Sequence, residues 1–435
     1  MSEGQALVDF VTAQRWFGSK TRDVIDASVV DGAPLRDGLE LQLVEIKFDT
    51  GTHETYQLLV DAGGFDALAD EAQARVLLQL MRAGEAVEAR DGTLEFGSIR
   101  GQLGDSDPEQ ARLISAEQSN TSIVFDERLI LKVFRKVDAG INPELELLRF
   151  LTERGFANIA PLAGWYAYNG RQMDATLGIM QGFVVGGEDG WERALDAIVA
   201  HDEAFLDTLR RLGEVTGKMH SLLGSDSTDA NFCPEQTSME SLGLLTATVD
   251  EEIEDVFLGL PDGNEELEPI RGRGEEVRER LRLLTNLGGT GRVIRHHGDF
   301  HLGQTLWDGN DWVILDFEGE PARSLPERRR KRSPLRDVAG MLRSFAYAAS
   351  AAKVLRGADA PDDWESRARS EFLEGYRDTI DQSLVPSGAS MDKLLRVFEL
   401  EKAVYELRYE LNNRPDWVSI PVAGIVRMLE EEVPV

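Results

Sequence analysis

Hydrophobic positions divide the chain into a strand-rich first part and a helical second part. Apolar residues alternate or form short runs, as they do in strands, at residues 23–30, 39–48, 54–61, 111–116, 121–125, 129–134, 162–169 and 174–185. Helices in the first part are predicted at 4–15, at 65–83 and from Asn142-Pro143 onward. After Gly186-Gly187 the apolar period becomes helical, at 191–199, 203–223, 237–257, 275–284, 336–356, 364–380 and 389–413.

This order of elements predicts an α+β fold with a β-rich N-terminal part and a helical C-terminal part. The length of 435 residues suggests two to three domains. We place the boundaries near residues 90 and 185. The expected parts are a small α+β unit over 1–90, a β-rich part over 91–185 and a helical part over 186–435.

The principal chemical signal lies between His296 and Leu342. Asp299 stands in the sequence H-G-D-F-H-L-G-Q, with Gln304 five residues after it and Asp316 seventeen residues after it. Asp308-Gly309-Asn310 has turn chemistry, and the apolar residues 312–315 form a predicted strand that ends at Asp316. The pattern therefore predicts a loop, a hairpin and a strand that brings Asp316 beside the loop.

That order suits phosphoryl transfer, which needs a carboxylate near the acceptor hydroxyl and oxygen ligands that hold Mg²⁺ against the phosphates. Protein kinases use an Asp in a catalytic loop, an amide side chain five residues later and a metal-binding Asp on a following strand. We therefore expect Asp299 to be the catalytic base, and Gln304 and Asp316 to bind Mg²⁺. The alternative is a pair of solvated carboxylates near a turn.

Lys132 is a charged residue inside the apolar strand Leu129–Phe134. A kinase needs such a lysine on the α- and β-phosphates of ATP, paired with a glutamate on a helix. Glu144 and Glu146 both lie at the start of the following helix, and we expect Glu146 to be the partner. The alternative is an edge-strand lysine that extends its ammonium group to solvent.

Two further stretches are candidates for contacts with ATP. Between two strands, the polar run Glu117-Gln118-Ser119-Asn120-Thr121-Ser122 would present N–H groups and hydroxyls to phosphates, although a plain hairpin turn fits equally well. Gln181, Phe183 and Val184 end a strand at the place where a kinase hinge would meet the adenine.

The last long helix carries Lys402, Tyr405 and Tyr409, which are spaced three and four residues apart and therefore share one face. Arg414 and Trp417 follow the end of that helix. Aromatic faces that stack on sugar rings, together with charged donors for hydroxyls, suit a carbohydrate ligand. The alternative is that the two tyrosines pack against the core.

Charge and composition narrow the choice of partners. Asp and Glu number 78 against 47 Lys and Arg, a net charge of −31, which argues against nucleic acid and anionic membranes as partners. The single cysteine, Cys233, excludes an intramolecular disulfide and a multi-cysteine zinc site. The sequence shows neither an 18-residue apolar run nor a signal-peptide pattern, so a cytoplasmic location is expected.

The basic run 328–332 stands out in this acidic chain. Three interpretations stay open: it binds a nucleotide or polyanion, it docks on an acidic partner, or it is a solvated loop that balances nearby carboxylates.

These residues together resemble the maltokinase family. The resemblance rests on Arg15-Trp16-Phe17-Gly18-Ser19-Lys20, Asp189-Gly190-Trp191-Glu192, the segment 297–345 and the stretch from Tyr405 to Pro421. It implies a bilobal protein-kinase-like fold with an N-terminal cap subdomain. It also implies Mg²⁺-dependent conversion of ATP and maltose to ADP and maltose 1-phosphate, which feeds glycogen and α-glucan synthesis from trehalose. H-G-D also resembles the aminoglycoside-phosphotransferase-like kinases.

The resemblance further implies that maltose lies at the C-terminal helices, with its anomeric hydroxyl at Asp299. The expected substrate residues are His297, Arg336, Asp337, Lys402, Tyr405, Tyr409, Arg414 and Trp417. Two alternatives stay open: a glucosamine or other sugar kinase of the same fold, and a non-catalytic kinase-like partner of a trehalose synthase. We expect a monomer or weak dimer, with trehalose synthase as the candidate protein partner.

Overall fold

The structure, a computed structural model, describes residues 3–62, 64, 66–114, 119–171, 173–285 and 289–431. Its strands are β1 (Val24–Pro34), β2 (Glu40–Phe48), β3 (His53–Val60), β4 (Ala86–Glu88), β5 (Gly92–Ser98), β6 (Ala111–Ile114), β7 (Asn120–Phe125), β8 (Leu129–Phe134), β9 (Lys136–Val137), β10 (Leu162–Gly170), β11 (Asp174–Gly182), β12 (Glu188–Asp189), β13 (Glu235–Gln236), β14 (Arg292–Val293), β15 (Thr305–Trp307) and β16 (Trp312–Ile314). Its helices are α1 (Glu3–Ala13), α2 (Glu71–Ala83), α3 (Pro143–Glu153), α4 (Gly190–Ala200), α5 (Ala204–Leu223), α6 (Met239–Leu258), α7 (Gly274–Leu284), α8 (Leu325–Arg328), α9 (Leu335–Arg356), α10 (Trp364–Thr379), α11 (Ala389–Asn413) and α12 (Ser419–Glu430).

The chain forms two compact units. Unit 1 contains the residues up to Gly186 together with Ala322–Arg328, and unit 2 contains Gly187–Pro321 and the residues from Arg329 onward. Unit 1 holds β1 to β11 and unit 2 is mainly helical, so the predicted α+β architecture is confirmed. The further boundary near residue 90 stays a prediction.

Unit 1 contains two antiparallel sheets. Seven strands are ordered β4-β5-β10-β11-β8-β7-β6, and four are ordered β1-β2-β3-β9. The smaller sheet is completed by β9, since Tyr56 of β3 pairs with Lys136. Gln57, fully buried, donates from Nε2 to the carbonyl oxygen of Phe134 at 2.6 Å and accepts from the Tyr166 hydroxyl at 3.0 Å. The N-terminal strands are therefore bonded to the strand that carries Lys132.

The N-terminal aromatic motif packs inside unit 1. The rings of Trp16 and Phe17 lie 5.6 Å and 5.5 Å from the ring of Tyr56, and all three are buried. The helix predicted at 65–83 begins later, at Glu71. Its start is fixed by Asp70, whose side chain accepts a hydrogen bond from the N–H of Ala72 at 2.8 Å. An N-cap carboxylate satisfies a backbone N–H of the first helical turn, which has no carbonyl partner within the helix.

Unit 2 is built mainly of helices, with short strands around the segment that carries Asp299. The predicted hairpin is confirmed: β15 and β16 pair between Thr305 and Ile314, and the Asp308 carboxylate accepts from two backbone N–H groups of the turn. The helix α12 was not predicted from the sequence. None of the helices in the described residues is long and apolar enough to cross a lipid bilayer.

Helices α5 and α10 of unit 2 approach each other closely at glycines. A Cβ on Gly213 would lie 2.0 Å from the carbonyl oxygen of Phe372, and a Cβ on Gly375 would lie 2.0 Å from that of Arg210. Both distances are far below van der Waals contact, and the obstructing atoms are backbone, which cannot rotate away. The crossing therefore depends on the absence of a side chain at these positions.

We predict that Gly213→Ala lowers the free energy of unfolding by about 1–3 kcal/mol, the usual cost of forcing extra atoms into a filled interior. Urea unfolding followed by circular dichroism measures this change. The matched control is Gly243→Ala in α6, where a Cβ meets nothing within 4 Å. That substitution should raise helix stability by up to about 1 kcal/mol. Equal changes in the free energy of unfolding for the two substitutions would contradict the claim that the crossing of α5 and α10 excludes a side chain at Gly213.

Candidate functional site

In unit 1, Lys132 on β8 forms a buried ion pair. Its Nζ donates to Glu144 Oε2 at 2.9 Å, and the two side chains are 12% and 1% exposed. The expected partner Glu146 is therefore corrected to Glu144. Asn142 caps α3 by accepting from the N–H of Glu144 at 2.8 Å. Positions two apart on a helix differ by roughly 200°, so Glu146 leaves α3 in nearly the opposite direction.

The predicted phosphate-contact stretch only partly fits a loop. Residues 117 and 118 lie outside the described residues, and β7 already begins at Asn120. Ser122 is fully buried, and the Thr121 hydroxyl accepts from Arg135 Nε at 2.7 Å. Ser122 is therefore corrected from a phosphate contact to an interior position of unit 1, whereas the contact of the half-buried Thr121 stays a prediction. Ser119, which is exposed, and the half-buried Asn120 stay predicted contacts.

The predicted hinge residues lie at the end of β11 and just beyond it. Gln181 pairs with Leu162 and Ile130 on the neighbouring strands. The N–H of Phe183 donates to the carbonyl oxygen of Arg128 at 2.8 Å. An adenine contact at Phe183 would therefore use its carbonyl group or its ring. The contacts predicted for Gln181, Phe183 and Val184 stay predictions.

In unit 2, one buried carboxylate holds the loop that precedes Asp299. Asp337, 2% exposed, accepts from the backbone N–H groups of His297 at 2.8 Å and Gly298 at 2.9 Å. Its Oδ2 also lies 3.1 Å from His220 Nε2, and His220 Nδ1 lies 3.1 Å from the hydroxyl of Tyr376. Burial acts to raise the pKa of Asp337, but the charge of His296 and the hydrogen bond from His220 outweigh it, so the pKa lies well below its usual range.

His297 joins this loop to the strand end before Asp316. It is 1% exposed, its Nε2 donates to the carbonyl oxygen of Leu315 at 2.8 Å, and its Nδ1 accepts from the N–H of Asp299 at 3.4 Å. A buried side chain whose ring nitrogens are both engaged is not offered to a ligand. His297 and Asp337 are therefore corrected from substrate contacts to residues that hold the loop.

The carboxylate of Asp299 is partly exposed beside a lysine and a histidine. Lys402 Nζ lies 3.9 Å from Oδ1 and His301 Nε2 lies 3.9 Å from Oδ2, and the Asp299 side chain is 24% exposed. Both distances exceed hydrogen-bond length. The carboxylate oxygens therefore remain open to a hydroxyl that approaches from solvent.

Gln304 and Asp316 lie together, as the sequence predicts. Gln304 Nε2 is 3.3 Å from Asp316 Oδ2, and rotation of the amide would present its oxygen instead. A carboxylate oxygen and an amide oxygen are donor types that suit Mg²⁺, so the pair fits this ion. Asp316 has a φ of +59°, a left-handed conformation that costs a non-glycine residue on the order of 1–3 kcal/mol. Backbone strain at this position is typical of a functional residue.

A cavity of about 360 Å³ in unit 2 adjoins the Asp299 loop. Its lining residues are Trp191, Phe300, His301, Gly303, Gly340, Ser344, Tyr347, Leu355, Lys402, Glu406, Arg414 and Trp417. Its volume is within the usual range for ligand pockets, about 300–1,000 Å³. A Cβ on Gly340 would lie 2.6 Å from the carbonyl oxygen of Phe300, so this glycine lets α9 approach the loop. The cavity therefore lies directly beside the candidate base.

The predicted substrate residues divide into three groups. Lys402, Arg414 and Trp417 line the cavity. Tyr405 and Tyr409 stack on each other at 6.5 Å on an adjoining face of α11 and do not line it. Arg336 pairs with Glu401 through both terminal nitrogens, at 3.0 Å and 2.9 Å. This pair joins α9 to α11, and the substrate contact of Arg336 stays a prediction.

The sequence reasoning missed six polar or aromatic cavity residues: Trp191, Phe300, His301, Ser344, Tyr347 and Glu406. Signals for three of them, Ser344, Tyr347 and Glu406, existed. Gly340, Ser344 and Tyr347 follow Asp337 at helical spacing, and helix periodicity places them on one face of α9. Glu406 similarly lies one turn after Lys402. The position of Trp191 depends on how α4 meets the loop, which local spacing does not encode.

The charges at the cavity are compensated within unit 2. Glu406 is the one carboxylate among the described lining residues, and its Oε2 accepts from Arg343 Nε at 2.9 Å and Nη2 at 2.8 Å. The neighbouring Glu410 accepts from Arg414 at 2.6 Å and from the hydroxyl of Tyr347 at 3.1 Å. Burial first, and then these two carboxylates, raise the pKa of Tyr347 far above its ordinary value. Tyr347 therefore keeps its proton and acts as a donor.

Family models match two parts of the chain. Residues 110–369 match the phosphotransferase enzyme family, and residues 10–87 match the maltokinase N-terminal cap domain. The chain is similar to a glucosamine kinase of Mycolicibacterium smegmatis, at 26% identity over 329 residues that cover 74% of this chain and 80% of that protein. A glucosamine kinase of Streptacidiphilus jiangxiensis is 24% identical over 340 residues, which cover 74% of each chain.

A solved structure shares the fold. A glucosamine kinase in complex with glucosamine, ADP and inorganic phosphate gives a TM-score of 0.75 at 20% identity, over 97% of this chain and 98% of that one. At this identity the likeness concerns the fold. It confirms the predicted α+β kinase-like fold with an N-terminal cap, a β-rich N-lobe and a helical C-lobe.

We predict that protonation of His296 destabilises the protein on the acid side. His296 is 7% exposed, and its Nδ1 has no hydrogen-bond partner among the residues that the structure describes. Burial lowers its pKa from 6.5 to about 4, although the charge of Asp337 acts in the opposite direction. The unfolded chain therefore takes up this proton first as the pH falls. Stability contributed by neutral His296 is complete above about pH 6.5 and is lost progressively toward pH 4, by on the order of 3 kcal/mol.

Urea unfolding between pH 7 and pH 4 measures this effect. The variant His296→Gln should lose less stability over that interval than the wild-type protein, because glutamine takes up no proton. The matched control is His53→Gln, which changes an exposed histidine of β3. Parallel pH profiles for wild type and His296→Gln would show that His296 does not carry the effect.

Proposed function

This chain belongs to the phosphotransferase enzyme family, and we propose that it transfers the γ-phosphoryl group of ATP to maltose, giving ADP and maltose 1-phosphate. The observation that carries the choice of acceptor is the cavity beside Asp299, with its aromatic walls and its compensated carboxylate. The maltokinase-type cap domain at residues 10–87 supports the same choice.

Each candidate residue has a defined role in this reaction. In unit 1, Lys132 neutralises charge on the α- and β-phosphates, and Glu144 keeps its ammonium group in position. In unit 2, Gln304 and Asp316 would hold Mg²⁺. When bound, this ion offsets the negative charge of the phosphates during transfer. Asp299 accepts the proton of the attacking hydroxyl.

The open oxygens of Asp299 favour its role as base. A carboxylate already bonded to an arginine would be a poor proton acceptor, whereas the ammonium group of Lys402 and the Nε2 atom of His301 both lie 3.9 Å from the Asp299 carboxylate. Lys402 also lines the cavity, so its ammonium group is placed to donate to a sugar oxygen next to the reacting hydroxyl. The acceptor is thereby oriented with its anomeric hydroxyl at the carboxylate.

The cavity favours a neutral sugar over an amino sugar. At neutral pH the amine of glucosamine is protonated and needs a carboxylate partner. Glu406, the one lining carboxylate among the described residues, is already bound by two nitrogens of Arg343. Trp191, Tyr347 and Trp417 provide apolar faces for sugar rings. A disaccharide would use these faces more fully than a monosaccharide.

Glucosamine is the second candidate acceptor, because the similar proteins of Mycolicibacterium smegmatis and Streptacidiphilus jiangxiensis are glucosamine kinases. A non-catalytic role is disfavoured by the presence of the Lys132–Glu144 pair and of Asp299, Gln304 and Asp316. The expected use of the product in glycogen synthesis, the trehalose synthase partner and the monomeric or weakly dimeric state stay predictions.

We predict that Asp299→Asn lowers kcat by at least about 10²-fold, the usual effect of removing a positioned base, while ATP binding is preserved. ADP release in a coupled assay with maltose measures the rate. The matched control is Asp308→Asn, the same chemical change in the exposed hairpin turn, where the amide oxygen can still accept the turn hydrogen bonds. If Asp299→Asn retained a rate near that of the wild-type protein, the assignment of Asp299 as the catalytic base would be wrong.

We predict that Trp417→Ala raises KM for maltose about tenfold, equivalent to about 1.4 kcal/mol of lost sugar contact, and leaves KM for ATP unchanged. Tyr409→Ala removes an aromatic ring outside the cavity, so the pair of variants locates the acceptor. A rise for Tyr409→Ala without one for Trp417→Ala would place maltose on the tyrosine face. If kcat/KM of the wild-type protein were higher for glucosamine than for maltose, the choice of maltose as acceptor would be wrong. The assignment as a sugar kinase would still stand.

A further inference from the structure

The segment Ala322–Arg328 belongs to unit 1, although the residues before and after it in sequence belong to unit 2. It follows Asp316 closely in sequence and contains the short helix α8. Ser324 starts this helix: its hydroxyl donates to Glu327 Oε2 at 2.7 Å, and its carbonyl oxygen accepts from the N–H of Arg328 at 3.0 Å. The segment therefore has a defined conformation of its own within unit 1.

Two side chains attach this segment to the connection between β9 and α3. Arg328 Nη2 donates to Asp138 Oδ2 at 3.0 Å, and the Arg328 side chain is only 9% exposed. Leu325 is buried, and its Cδ2 would lie 2.9 Å from a Cβ placed on Gly140. Gly140 has a φ of +113°, so a side chain at this position is excluded by conformation as well as by space.

The connection that receives these contacts leads directly to the partner of Lys132. After Gly140 the chain reaches Asn142, which caps α3, and then Glu144. Strand β11 holds the connection as well: the N–H of Gly140 donates to the carbonyl oxygen of Asp174 at 2.6 Å, and the N–H of Asn142 donates to the Thr176 hydroxyl at 3.0 Å. The start of α3 is therefore fixed by β11 and by Ala322–Arg328.

We propose that Arg328 and Leu325 are positioning residues for the Lys132–Glu144 ion pair. By holding Asp138 and Gly140, they fix the first turn of α3 and with it the direction of the Glu144 carboxylate. Glu144 in turn holds the ammonium group of Lys132, which binds the nucleotide phosphates under the proposed function, on which this inference rests. This assigns Arg328 a role inside unit 1, distinct from the rest of the basic run.

The opposing interpretation is an ordinary ion pair that adds only to stability. Pairs of this kind contribute little, because solvent screens them and ordering the side chains costs entropy. Such a pair would change the unfolding midpoint when removed and leave the affinities for both substrates alone. If the pair has a positioning role, its removal lowers the affinity for the nucleotide and leaves the affinity for the sugar unchanged. The two interpretations therefore differ in the nucleotide affinity of the variants.

The test uses the full-length protein with Arg328→Ala and the milder Asp138→Asn. Each should weaken binding of Mg·ADP, measured by titration calorimetry, and raise KM for ATP, both by about five- to tenfold, while KM for maltose changes less than about twofold. The matched control is Arg36→Ala, which removes an exposed arginine–glutamate pair of unit 1 and should leave all three quantities unchanged.

A charge exchange makes the test independent of simple destabilisation. Arg328→Asp and Asp138→Arg should each impair nucleotide binding, and the double variant should regain most of it, because the pair is re-formed in the opposite direction. Unchanged nucleotide affinity in Arg328→Ala and Asp138→Asn, or a double variant no better than the singles, would overturn the positioning role alone. A wild-type protein that binds neither ADP nor ATP would overturn the proposed function as well.

Discussion

A single buried carboxylate determines the conformation of the loop on which the proposed chemistry depends. Asp337 accepts hydrogen bonds from the backbone N–H groups of His297 and Gly298, and the Nε2 atom of His220 lies 3.1 Å from its Oδ2 atom. A buried carboxylate without donors and buried N–H groups without acceptors are both costly. The loop and the start of α9 therefore stabilise each other. Asp299 is the next residue along the chain, so its direction follows from this contact.

The carboxylates of this site differ in whether a cationic side chain is hydrogen-bonded to them. Those that are bonded to lysine or arginine have a structural role, whereas Asp299 is not bonded in this way. Glu144 is bonded to Lys132, Glu406 to Arg343 and Glu410 to Arg414. These are short contacts, and they fix helices and loops. Asp299 lies 3.9 Å from Lys402 Nζ and from His301 Nε2 and keeps about a quarter of its side chain exposed. Under the proposed function, a strongly acidic chain thereby provides a base beside a cavity that suits a neutral sugar.

Much of the fold was predictable because its signals are local. Apolar periodicity identified the principal strands and most helices, and the spacing of the catalytic-loop motif predicted that Gln304 and Asp316 lie together, as they do. The hairpin between them follows from its turn residues. Such features depend on residues near each other in sequence, so one chain is enough to identify them.

The errors concern contacts between residues distant in sequence. Choosing Glu144 over Glu146 requires the direction in which α3 leaves its cap, which depends on the strands beneath it. His297 and Asp337 have residue types that suit a ligand, and only the packing of α9 against the loop shows that both are buried. Ser122 was similarly assigned to a ligand, but its side chain is fully buried. The cavity draws its walls from several helices, which no local spacing describes.

The most direct test of this account is identification of the product. The protein is incubated with ATP, Mg²⁺ and maltose, and the product is examined by carbon NMR for coupling to phosphorus. The account predicts a phosphoester on the reducing-end anomeric carbon of maltose, formed in equal amount to ADP. Coupling at another carbon would contradict the placement of the acceptor. ADP release that yields only free phosphate, with maltose, glucosamine and glucose all unmodified, would contradict the assignment as a sugar kinase.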